Sequence, residues 1–154
     1  RNTSWVNATI ANQLALYVTM SSPLQMAADL PEHYEQFLDA FQFIKDVDID
    51  WIQSKYLLAE PGDYVVVARQ GKKNGQWFVG GVTDDNKRTL DVPFNFLEAG
   101  KTYEATIYAD AEDADYKTNP QAYNIHTETV TTDSMLPISM ARGGGFAISL
   151  KEKR

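Results

Sequence analysis

The strongest constraint in this sequence is a change of hydrophobic period near residue 50. Upstream, apolar residues recur at helical spacing. Downstream they alternate, as they do along strands that bury one face. No single element satisfies both periods, so helical and β structure must meet near Asp46–Trp51.

The upstream stripe runs Val6, Ile10, Leu14, Tyr17 and Val18, and Ser21-Ser22-Pro23 ends it, because proline disfavours helical geometry in the residue before it. Leu24 to Ala28 is too short for a helix and reads as a buried strand. Asp29 stands three residues before Glu32, the spacing of a capping box, with Pro31 tolerable in a first turn. Tyr34, Phe37, Leu38, Phe41 and Ile44 predict a second amphipathic helix ending before Asp46. A lone strand between two helices has no partner within this half. Residues 1–49 are therefore expected to be the tail of a larger α/β domain, and a chain opening at Arg1 reads as a piece of something longer.

Beyond residue 50 the expected strands are Ser54–Leu58, Tyr64–Arg69, Trp77–Thr83, Thr89–Phe94, Thr102–Tyr108, Tyr123–Thr131, Met135–Met140 and Phe146–Leu150. Turn signals separate them, among them Pro61-Gly62-Asp63, Asp84-Asp85-Asn86, Asn119-Pro120 and Gly143-Gly144-Gly145. Short strands at this spacing without intervening helices predict a mainly β fold, an antiparallel β-sandwich or barrel of about eight strands over residues 50–154.

Composition narrows the function. The 154 residues are 44% hydrophobic, which is globular composition. No apolar run approaches the ~18–20 residues of a membrane-spanning helix, so no membrane partner is expected. Fourteen basic against 21 acidic residues leave a net charge of -7, which argues against nucleic acid. With no cysteine there is no disulfide, thiolate zinc site, iron–sulfur cluster or cysteine nucleophile.

Few residues offer chemistry. The histidines are His33 and His126; no HExxH or GxSxG occurs, and His126 sits in an alternating strand that should face solvent. Gly143-Gly144-Gly145 is followed by a strand and lacks the Lys-Ser or Lys-Thr of a phosphate loop, so it predicts a tight turn. Asp110, Glu112, Asp113 and Asp115 carry the oxygens calcium prefers, without the central glycine and distal glutamate of an EF-hand, and read as a solvated loop. Asp29 would lie at the end of a barrel strand, where active-site residues gather, but capping the next helix is the stronger reading. The sequons at Asn2 and Asn7 lie at a helix start, where Asn and Thr serve as caps. Sugars stack on exposed aromatic faces, which nominates Trp77, Tyr108 and Tyr116 as surface aromatics for an α-linked oligosaccharide. No catalytic residue, metal ligand or cofactor site is assigned.

Several segments together resemble the C-terminal portion of glycoside hydrolase family 97. They are Gln13 to Val18, Ser22 to Glu32, Phe41 to Val47, Asp113 to Pro120, and Gly143 to Phe146. The resemblance implies that residues 1–49 are the C-terminal end of a (β/α)8 catalytic barrel, and residues 50–154 a β-sandwich supporting it and mediating oligomerisation. It implies a parent α-glucosidase or α-galactosidase, with calcium in the parent and none here, and a periplasmic or secreted location. The family's catalytic and calcium-binding glutamates lie on earlier barrel strands, so this chain alone is expected to be inert. Its expected partners are the upstream barrel and further copies of itself; a carbohydrate-binding module is the alternative.

Overall fold

The structure, a computed structural model, describes residues 8–20 and 37–154. The elements are α1 (Ile10–Thr19), α2 (Leu38–Asp46), β1 (Trp51–Glu60), β2 (Tyr64–Gly71), β3 (Trp77–Thr83), β4 (Arg88–Pro93), β5 (Tyr103–Asp110), β6 (Tyr123–Val130), β7 (Met135–Met140) and β8 (Gly145–Glu152). All ladders are antiparallel. Six strands form one sheet in the order β1-β2-β3-β8-β5-β6, and β4 pairs with β7. The mainly β, eight-stranded architecture is the expected one.

The period-2 pattern buries both faces of the large sheet. Val66, Val79, Ile107, Phe146 and Ile148 point toward β4 and β7 and meet Val92, Phe94 and Ile138 in a dry sandwich core. Their neighbours of opposite parity, Val67, Phe78, Tyr108 and Ala147, point toward the helices.

There α1 buries Ile10, Leu14, Tyr17 and Val18, the described part of the predicted stripe. Thr9 begins the helix from an extended backbone, its hydroxyl oxygen accepting from the Asn12 N–H at 3.1 Å. The helix α2 differs from expectation: Leu38 is 55% exposed, and Phe43 is fully buried instead. Phe43 fills the slot between Phe78 and Tyr108 with edge-to-face contacts at 6.0 and 5.5 Å. A residue five positions earlier is rotated by about 140°, which turns Leu38 outward. Val6, the buried-strand reading of Leu24–Ala28, the Asp29–Glu32 box, His33, Tyr34 and both sequon asparagines lie outside the described residues.

Candidate functional site

The acidic loop and the glycine turn prove to be one clip. Asp115 accepts from Arg142 Nε at 2.8 Å and from the N–H groups of Lys117 and Thr118 at 3.0 and 3.1 Å. The guanidinium and those amides hold its carboxyl well below the usual carboxylate range. The Tyr116 ring lies beside Arg142 and Lys117, at 5.3 and 5.7 Å from their charged groups. Gly143 turns with φ +60°, and a β-carbon there would strike the Tyr116 ring. Asp113 accepts from the Asn119 side chain at 3.2 Å.

Asp110 belongs to the same loop by sequence but not by environment. It is 8% exposed, and its Oδ2 accepts from the N–H groups of Ala141 and Gly145 at 2.8 and 2.9 Å. Burial raises its pKa, opposed by those amides and the Thr9 hydroxyl. Asn12 of α1 donates to the Gly144 carbonyl at 2.9 Å. Helix, carboxylate and glycine turn therefore lock together, a role the alternation of β5 does not advertise.

Two of the three nominated aromatics are not on the surface. Trp77 is 7% exposed and Tyr108 is 3% exposed. Trp77 packs against Phe96 within the sandwich core, ring centroids 4.9 Å apart and planes tilted by 54°, and so buried it offers no open face to a sugar. Tyr108 lies under α2, and burial, with Asp46 and Asp39 nearby, pushes its hydroxyl up to about 12. Both sit on strand parities that face cover, which alternation alone could not assign to solvent or core. A groove of about 730 Å³ opens near Trp77 between Gln53, Gln70, Glu98 and Glu152, over aromatic rings already packed on one another.

Among the described residues, both edges of the six-stranded sheet are open. The edge strand β1 carries two register irregularities, at Trp51/Gln53 and Tyr56/Leu58, and exposes Ile52 and Tyr56 at 55% and 68%. At the opposite edge β6 pairs with β5 over eight consecutive residues without irregularity. Its residues Asn124 and His126 to Thr129 are exposed. His126 Nε2 lies 3.6 Å from the Glu128 carboxylate.

Comparison with known proteins agrees with this architecture. The sequence model of the family described as "Glycosyl-hydrolase 97 C-terminal, oligomerisation" matches residues 50–151. A retaining alpha-galactosidase of Bacteroides thetaiotaomicron is 35% identical over 143 residues, 93% of this chain and 21% of that protein. A glycoside hydrolase family 97 enzyme from Pseudoalteromonas sp. strain K8 superposes with a TM-score of 0.88 at 40% identity, covering 96% of this chain and 23% of that one. A beta-arabinopyranosidase shares the fold at 20% identity, with a TM-score of 0.60 over 79% of this chain and 18% of its own. The chain thus spans about a fifth of the curated relative's length. On the strength of the match across the β-sandwich, the chain belongs to glycoside hydrolase family 97, as its C-terminal portion.

Proposed function

We propose that this chain is the non-catalytic C-terminal portion of a family 97 α-glycosidase, in which the β-sandwich of residues 50–154 supports the upstream barrel and joins copies of the enzyme. The carrying observation is the family match over residues 50–151, described as oligomerisation. The carboxylates with perturbed acidity add support, because each has structural partners: Asp115 holds Arg142, Asp84 holds Arg88, Asp110 holds two backbone amides, and Asp48 accepts from the N–H of Lys73. The parent is read as acting on α-galactosides or α-glucosides, as a secreted or periplasmic enzyme that carries its calcium on barrel residues outside this chain.

Glycosidic cleavage needs an acid and a base or nucleophile held across one cleft. The test is hydrolysis of 4-nitrophenyl α-galactoside and α-glucoside with millimolar calcium. The chain alone is expected to show no turnover above buffer, and the chain extended by its upstream coding sequence to show turnover. Turnover by the chain alone, abolished by replacing one of its own carboxylates, would overturn the reading.

A further inference from the structure

We propose that two copies of this chain join through the outer edge of β6, strand against strand and antiparallel, about a two-fold axis passing at Thr127. This rests on the oligomerisation reading and assigns it a surface and a register.

An antiparallel pair related by a two-fold axis normal to the sheet brings residue i opposite a residue of equal parity, because facing residues must lie on the same side. Centring the axis on Thr127 sets Thr127 opposite its own copy. His126 then faces Glu128 of the second chain, and Glu128 faces His126. The sequence His126-Thr127-Glu128 is thus self-complementary about its centre, with an imidazole N–H opposite a carboxylate twice. On the other side of the sheet, Ile125 faces Thr129. Cross-strand pairs of this kind are the units that stabilise a sheet. Moving the axis one residue either way would set His126 against His126 or Glu128 against Glu128.

The edge itself is suited to addition. It runs without bulge from Tyr123 to Val130, carries no proline or lysine, and has no strand on its outer side among the described residues. In the second sheet β7 packs against β5 and β8, and β4 against β1, so His126 and Glu128 on β6 remain 51% and 46% exposed. The opposite edge is protected by means that block addition: two irregularities in β1, Lys55 within it, and Pro61 just after it.

The chain contains no cysteine, so an introduced one reports on its own copy alone. With the axis at Thr127, the two Cα atoms of that position lie about 4.5–5.5 Å apart, within disulfide reach. Those of residue 129 lie about 14 Å apart, four residues out of register. Under mild oxidation Thr127→Cys should form a disulfide dimer at least tenfold faster than Thr129→Cys. In sedimentation velocity up to about 100 µM, Glu128→Lys should raise the dimer dissociation constant at least tenfold, and His126→Glu combined with Glu128→Lys should restore it. A chain that dimerises while the two cysteines cross-link equally, or while Glu128→Lys changes nothing, overturns the β6 edge and leaves oligomerisation standing elsewhere. A chain that stays monomeric throughout, with neither cysteine cross-linking, overturns both. All four substituted side chains are exposed, and far-ultraviolet circular dichroism verifies that each variant is folded.

Discussion

The two faces of the six-stranded sheet solve the same burial problem differently. Toward β4 and β7 the space is filled by side-chain volume, with Phe94, Phe146, Ile107, Ile148 and Met140 all essentially inaccessible. Toward the helices the Phe43, Phe78 and Tyr108 rings also supply volume, but backbone approach and polar anchoring are added to it. A β-carbon on Gly80 would lie 2.7 Å from the Ala15 carbonyl oxygen and 2.8 Å from the Val18 β-carbon, so α1 rests directly on the strand. Asp110, Thr9 and Asn12 then fix the helix end. A face built from volume tolerates conservative exchange of its side chains. A face built on close approach and a buried carboxylate depends on individual atoms.

The sharpest trial of that contrast sets Phe146→Ala against Phe43→Ala. Each removes a fully buried ring, one from either face, and each should cost about 3–5 kcal/mol in urea unfolding. Because both rings pack on one sheet, both variants should unfold in a single transition by near- and far-ultraviolet circular dichroism. Two separated transitions for Phe43→Ala would show that the helices are an appendage rather than part of the core.

Next in size is Gly80→Ala, expected to cost about 1–3 kcal/mol because the added methyl meets helix backbone, which cannot rotate aside. Hydrogen exchange should quicken along α1 and stay unchanged in β4 and β7. Equal quickening on both faces would contradict a local lifting of the helix.

Asp110→Ala should cost about 1–3 kcal/mol by stranding the N–H groups of Ala141 and Gly145. Asp110→Asn keeps an acceptor and separates charge from hydrogen bonding. The folded pKa of Asp110 is raised above the ordinary 3.8, so the folded chain holds this proton longer than the unfolded chain. Its contribution is therefore most favourable below 3.8 and declines as pH rises through the folded value. Measured as wild type minus Asn variant, stability should fall from acid toward neutral pH. A difference that rises instead would mean the amides and Thr9 outweigh burial.

The smallest effect is expected at Tyr56, which lies on the helix-side parity of β1, opposite Val67, yet is 68% exposed. Tyr56→Ser should change stability by less than about 0.5 kcal/mol. A larger loss would extend the covered face out to the edge strand.

Most of the β architecture was legible in the alternation. Trp77–Thr83 and Met135–Met140 have the predicted bounds, and the other six strands depart from theirs by a few residues at one or both ends. The edge strand β1 runs from Trp51 to Glu60, well beyond Ser54–Leu58, because its irregularities shift parity and hide the pattern at both ends. The helical stripe of α1 was equally plain, whereas Leu38 and Phe43 traded places because the slot between Phe78 and Tyr108 comes from strands distant in sequence. The aromatics were illegible for a related reason. Alternation says that Trp77 and Phe78 face opposite ways; it cannot say that both ways lead inward.

The sequence by itself determined the strands, the buried face of α1, the turns at its positive-φ glycines and the family, since each depends on residues close along the chain or on the order of segments. Tertiary structure alone decided which surfaces are covered. It put Trp77 and Tyr108 in the core, turned Asp110 from an acidic-loop residue into a buried anchor, and left β6 as the regular edge and β1 as the irregular one. The physical reason is that burial and pairing depend on what lies across a gap of a few ångströms. In this fold the neighbour across that gap is often far away in sequence, as Asp110 is from Gly145 and Gly80 from Ala15.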